Sequence, residues 1–196
     1  MFFKSKPTYD WLIVGLGNPG LQYENTRHNA GFITADAIAK DKGFEFSKHK
    51  FQSVCGEYRL KDMRILVIKP QTYMNNSGKA VREAMSFYKI PTDRVIIMHD
   101  DMMLDVGKIR MRRKGSDGGQ KGMRDIIELS GTDEIMRIKI GVGKKPNPEY
   151  DVVSWVLGKI PKEDTEEFTK AVTKASKAAE EIILKGIDSA MNKFNN

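Results

Sequence analysis

Apolar residues along this chain fall into two kinds of pattern that take turns. Short continuous runs, "WLIV" (11–14), "ILVI" (65–68) and "VIIM" (95–98), have strand length and the unbroken apolar character of strands buried on both faces. Between them lie stretches with helical spacing. In "GFITADAIAKDKG", Phe32, Ala35, Ile38 and Ala39 share a face and Gly43 supplies a stop. From Ser77, Ala80, Val81, Ala84, Met85 and Tyr88 do the same before Pro91. "SVCGEYRL" and "KIRMRR" alternate like half-exposed strands, as does "MRIKIGVG", while "KGMRDIIELS" reads as a helix and "YDVVSWVLGKI" as an extended or turn-rich connection. From Pro161 onward Phe168, Val172, Ala175, Ala179, Ile183, Ile187, Met191 and Phe194 recur every three or four residues, which predicts one long C-terminal helix with a kink at Gly186.

Strands interleaved with helices predict an α/β fold: a single-domain three-layer sandwich, its twisted sheet flanked by helices on both sides. Two pairs of runs, "SVCGEYRL"/"RILVIK" and "VIIMHDD"/"KIRMRR", are close enough in sequence to join antiparallel, so the sheet is expected to be mixed. The 196 residues suffice for one core and the whole chain, 1–196, is read as one domain. No run is long enough to span a membrane, and the opening "MFFKSKPTYD" lacks the apolar centre of a secretory leader, so a cytoplasmic protein is expected. Cys55, the only cysteine, excludes an intrachain disulfide and reads as a buried inert thiol in a strand.

Charge adds a partner to this picture. The net charge is +7, from 33 Lys and Arg against 26 Asp and Glu, and the segment 107–124 holds Lys108, Arg110, Arg112, Arg113, Lys114, Lys121 and Arg124 against Asp117 alone. Alternation in "KIRMRR" puts Arg110 and Arg112 on one strand face, which suits a polyanion.

"GLGNPGLQYENTRHNAGF" (15–32) contains G-x-G-x-x-G directly after a strand, the literal dinucleotide fingerprint. It lacks the context. The residues after Gly20 carry no helical stripe, Pro19 stiffens the turn, and Asp36 and Asp41 fall inside a predicted helix rather than at the end of a second strand. The segment instead suits a wide loop at the carboxyl edge of the first strand, with Asn18, Tyr23, His28 and Asn29 lining a cleft. "KPQTYMNNSGK" and "VIIMHDD" leave strand ends in the same manner and bring Asn75 and the pair Asp100 and Asp101. A histidine, a carboxylate and amides without a serine or cysteine nucleophile point to a histidine general base acting on water. No metal-binding spacing is present; His99, on an apolar strand, reads as a hydrogen-bonded core residue and His49 as exposed.

Taken in order, "LIVGLGNPGLQYENTRHNAGF", "KPQTYMNNSGKAV", "MHDD", the basic strand entering "GSDGGQKGM", "RIKIGVG" and "VLGK" resemble bacterial-type peptidyl-tRNA hydrolases, from about Trp11 to Lys159. The resemblance implies hydrolysis of the ester joining a peptide to its tRNA, with no metal and no organic cofactor, by a monomer. It implies that His28 is the base, Asp100 the carboxylate that orients it, and Asn18 and Asn75 substrate-positioning amides. It also places Tyr23, Met74 and Lys121 on the substrate cleft, and Arg110, Arg112, Lys114, Arg137 and Lys139 on tRNA phosphates. The chain departs from the family where "GGHNG" is usual: here Gln120 and Lys121 replace a histidine and an asparagine. Two alternatives follow: an RNA-binding relative that has lost turnover, and an esterase for small substrates that needs no basic strand.

Overall fold

The computed structural model describes residues 8–195; the opening segment read for a leader, up to residue 7, lies outside them. Among the described residues seven strands, β1 (Trp11–Gly15), β2 (Lys48–Lys50), β3 (Ser53–Leu60), β4 (Met63–Pro70), β5 (Val95–Asp101), β6 (Ile109–Arg112) and β7 (Met136–Gly141), form one sheet in the order β2-β3-β4-β1-β5-β7-β6. β1, β4, β5 and β7 are mutually parallel, whereas β3 pairs antiparallel with β4, β2 with β3 and β6 with β7. The sheet is mixed, as expected.

Six α-helices among the described residues cover it: α1 (Ala30–Lys42), α2 (Ser77–Tyr88), α3 (Lys121–Ser130), α4 (Val152–Val156), α5 (Thr165–Lys185) and α6 (Ile187–Phe194). β1 is buried on both faces, and its alternation assigns the two cores. Trp11 and Ile13 pack toward α1, α5 and α6, while Leu12 and Val14 pack toward α2 and α3. This is the three-layer α/β sandwich.

Three expectations are corrected. β5 and β6 do not pair; β7 inserts between them, and the 102–108 connection crosses over the end of β7, where Gly141 admits the Asp105 carbonyl at 2.1 Å from the position a Cβ would take. The 150–160 segment, read as extended or turn-rich, holds a short helix, because Asp151 accepts a hydrogen bond from the Ser154 N–H at 2.7 Å and caps α4. The C-terminal helix is broken rather than kinked: Gly186, at φ 88° and ψ 165°, separates α5 from α6. The break returns the chain to β6, where the Asn195 side chain accepts from the Met111 N–H at 2.7 Å and donates to the Met111 carbonyl at 3.2 Å. An amide thereby stands in for a neighbouring strand on the exposed sheet edge.

The glycines at the two ends of the first loop turn out to be packing residues. A Cβ on Gly15 would sit 2.4 Å from the Gly31 carbonyl oxygen, and one on Gly31 would sit 2.2 Å from that of Met98 and 2.4 Å from the Leu16 nitrogen. Two missing side chains let the start of α1 lie directly against the ends of β1 and β5. The loop between them is pinned at the switch point, where the chain moves from one side of β1 to the other and open sheets form their ligand crevice.

Candidate active site

A cleft of about 410 Å³ opens at that crevice, over the carboxyl ends of the parallel strands. His28 reaches it from the turn 27–29 that precedes α1, and both of its neighbours are buried anchors. The Arg27 guanidinium lies 3.6 Å above the Trp155 ring and donates to the carbonyls of Val142 and Trp155, tying the turn to β7 and α4. Asn29 accepts from the Asn18 N–H at 2.8 Å and donates to the Asn18 carbonyl at 3.0 Å. Asn29 was expected on the cleft; it is the clamp that fixes Asn18.

His28 Nδ1 lies 2.9 Å from Asp100 Oδ2. Burial opposes ionisation of Asp100, but the attraction of His28 and hydrogen bonds from His28 and Gln120 outweigh it and hold the carboxyl below its ordinary range. An ionised carboxylate only accepts, so Nδ1 carries the proton and Nε2 keeps its lone pair. Nε2 has no partner among the described residues and is not sealed from solvent. Asp101, the alternative by spacing, also borders the cleft but receives Lys139 at 3.0 Å rather than His28.

The amides are set by similar logic. Asn18 Oδ1 accepts the Met74 N–H at 2.8 Å; a backbone N–H cannot accept, so Nδ2 is the end left for the cleft that Asn18 lines. Asn75 is exposed on the cleft wall with no partner among the described residues, and Met74 is buried beneath it. Lys121, the first residue of α3, lines the same wall and is unpaired among the described residues. Tyr23 is not on the wall; its ring meets that of Tyr73 edge-on at 6.4 Å, and Tyr73 is the lining residue. Tyr73, at φ 60° and ψ 160°, is in a region that costs a non-glycine residue about 1–3 kcal/mol. Val152, Val153 and Val156 of α4 add an apolar side. No local sequence signal marks Tyr73 or these valines as cleft residues.

His99 is buried, donates Nδ1–H to the Asp100 carbonyl at 2.7 Å, and is kept neutral because burial lowers its pKa. His49 is exposed on β2, Cys55 is buried, and burial pushes its thiol pKa up; all three match their sequence readings.

The basic strand alternates as expected. Ile109 and Met111 are buried, while Arg110 and Arg112 are exposed and unpaired among the described residues. Register places Arg110 opposite Lys139 and Arg112 opposite Arg137. Arg137, however, is only 1% exposed. Its guanidinium donates to the carbonyls of Asp133 at 2.7 Å, Ile135 at 3.0 Å, Ser116 at 3.1 Å and Gly115. Its donors are spent inside the protein, so the expectation that Arg137 binds phosphate is wrong. Lys139 is half-covered and paired with Asp101, and Lys114 is exposed opposite Glu134 at 3.5 Å.

A histidine polarised by an ionised carboxylate, open amides beside it, and a wall without serine, threonine or cysteine define a hydrolytic enzyme on an α/β sandwich. A sequence profile described as peptidyl-tRNA hydrolase matches residues 12–196. A peptidyl-tRNA hydrolase of Thermoanaerobacter sp. (strain X514) is 49% identical over 94% of this chain and 99% of its own. One of Clostridium novyi (strain NT) is 48% identical over 94% and 97%. The solved structure of the peptidyl-tRNA hydrolase of Acinetobacter baumannii superposes with a TM-score of 0.88 at 34% identity, covering 95% of this chain and 94% of that one. This chain belongs to the peptidyl-tRNA hydrolase family and is a hydrolase enzyme. Nothing in these similarities favours the reading in which turnover has been lost. No helix among the described residues is long and apolar enough to cross a membrane.

Proposed function

We propose that the cleft cleaves the ester between a peptide and the ribose of its tRNA with water activated by His28. Nε2 takes a proton from water, the hydroxide adds to the ester carbonyl, and the oxyanion forms beside Asn18 Nδ2. Collapse breaks the bond to the ribose oxygen, which takes the proton back from Nε2 and leaves as the tRNA hydroxyl; the peptide leaves with a free carboxyl group. Asp100 holds the ring in the required tautomer and stabilises the imidazolium between the two transfers. The 2.9 Å contact of His28 Nδ1 with Asp100, with Nε2 open, is the observation that carries this reading.

Asn75, Met74 and Lys121 are assigned to the substrate wall, the lysine offering a positive charge near the acyl group or the terminal phosphate. Tyr23 acts there only through Tyr73. Arg110, Arg112, Lys114 and Lys139 are assigned to phosphates of the tRNA. Support comes from the unpaired cations that β6 presents on one face, beside Lys139 in the adjoining strand. Like charges side by side are unfavourable unless an anion joins them.

The deciding experiment is release of peptide from peptidyl-tRNA by wild type and by His28→Ala. The variant is expected to lose turnover by about 10²- to 10⁴-fold, with tRNA affinity unchanged. Turnover by His28→Ala near the wild-type rate refutes the assignment.

A further inference from the structure

Gln120 is not an ordinary helix start. It is 7% exposed, and both ends of its side chain are engaged. Oε1 accepts the Met123 N–H at 2.7 Å and so caps α3, while Nε2 donates to Asp100 Oδ1 at 3.1 Å and contacts Met74 Sδ at 2.9 Å. The orientation has no alternative: a backbone N–H only donates and an ionised carboxylate only accepts, so the flipped amide would face both partners with the wrong group. We propose that Gln120 is a positioning residue for the hydrolytic reaction, its amide locking the carboxylate of Asp100 against the histidine while the helix cap locks the amide.

The inference rests on the assignment of His28 and Asp100 above. Asp100 has two oxygens, and His28 uses one. Without a donor on the other, a buried carboxylate is free to rotate or to take up a proton, and either change loosens the hold on the imidazole. Gln120 fills that place with a group that never titrates. The ionisable neighbours are His28 from the turn before α1, His99 and Asp101 from β5, and Lys139 from β7, with Asp117 and Lys121 at the rim. Gln120 therefore supplies Asp100 Oδ1 with a donor that is the same at every working pH. A histidine here, the residue usual in the sequences this chain resembles, would donate from both nitrogens once protonated and turn a proton toward the Met123 N–H.

Gln120→Glu separates the two roles. The carboxylate still accepts from the Met123 N–H and suits a helix N-terminus, so the cap survives. It cannot donate to Asp100 while ionised. Losing one hydrogen bond to a charged group predicts that kcat falls about 10- to 100-fold at alkaline pH, where both carboxyl groups are ionised. KM for peptidyl-tRNA is expected to stay near wild type, while the thermal midpoint falls, since two carboxyl groups now meet in a buried site. Part of the activity returns as pH is lowered, since the introduced carboxyl group can donate once it is protonated. Gln120→His is expected to keep activity near pH 8 and to show a steeper acid limb than wild type, because a second ring now titrates. Should the glutamate variant not fold, the acid limb of Gln120→His decides alone. Wild-type kcat in Gln120→Glu at that alkaline pH, or superimposable pH profiles of Gln120→His and wild type, overturns the proposal. If instead His28→Ala is as active as wild type, it is the assignment of the base that fails, whatever position 120 does.

Discussion

Arg112 and Arg137 face each other across two neighbouring strands, yet one is exposed and the other buried, and alanine at each position separates the consequences. Arg137→Ala removes a buried guanidinium that serves four carbonyls. Those of Gly115, Ser116 and Asp133 lie in loops where water can partly replace it, whereas Ile135 is buried. Allowing about 1 kcal/mol for each weakened bond and a further contribution from the void gives a loss of about 3–5 kcal/mol. In a chain of this length each kcal/mol moves the thermal midpoint by about 2–4 °C, so a fall of about 6–20 °C is expected. Arg112 is exposed and unpaired, and Arg112→Ala should stay within about 0.5 kcal/mol of wild type. The tRNA titration reverses the ranking. With Arg112 neutralised, the slope of log affinity against log salt becomes shallower by about 0.7–0.9, one phosphate contact. Arg137→Ala should leave that slope unchanged at temperatures where it is folded. An Arg137→Ala protein with an undisturbed midpoint and a reduced salt slope would show that the guanidinium leaves its carbonyls to meet tRNA, and the reasoning from burial would be refuted.

His99 is buried neutral, so folding excludes a proton that the unfolded chain binds below its ordinary pKa of 6.5. Stability is therefore fully present above that pH and declines as pH falls from 6.5 toward the lowered folded value, by up to about 1.4 kcal/mol per unit. His99→Asn, which keeps a donor for the Asp100 carbonyl, should flatten that limb in urea melts; an unchanged limb would mean that His99 charges freely in the fold. Gly31→Ala puts a methyl carbon 2.2 Å from the Met98 carbonyl oxygen, a backbone atom. A loss of about 3 kcal/mol or more in chemical denaturation is expected, and wild-type stability would disprove the close approach. Lys121→Gln should raise KM for peptidyl-tRNA and lessen its salt dependence without shifting the midpoint, while an unchanged KM would remove Lys121 from the substrate wall.

The elements that the sequence made legible are those whose signal is local. Gly43 marks its helix end because a left-handed stop is written in a single residue, and the KIRMRR alternation survives intact in β6; α2 does begin at Ser77, although the hydroxyl donates to the Met74 carbonyl rather than capping the helix. What failed was non-local or hidden by propensity. Seven residues between β5 and β6 are consistent with a hairpin, and no feature of either strand reveals that β7, far later in the chain, takes the place between them. The valines of 152–153 argue for extension and conceal the Asp151 cap of α4. β2 is Lys-His-Lys, with no alternation to detect, and its turn uses Phe51 and Gln52 at φ 52° and 48°, residues that do not advertise a positive-φ hairpin.

At the site the same division has a chemical reason. Residue types able to perform such chemistry are few, so His28, Asp100, Asn18 and Asn75 are legible as candidates from the sequence. Residues that aim them are ordinary: Asn29 clamps a backbone, Arg27 stacks on an indole, and Gln120 caps a helix. Arg137 is the converse case, since a cation in a basic segment looks like a phosphate ligand until its carbonyl partners are seen. Charge in a sequence is a property of the residue, but its availability is a property of the neighbours. Arg110 and Arg112 remain free because β6 is the edge strand and its outer face meets solvent, whereas Arg137 lies one strand further in, under the loops at 115–116 and 133–135. A one-strand displacement is thus enough to convert a residue fit for gripping a polyanion into one that holds two loops in place, the first of which leads directly to Gln120 and the cleft.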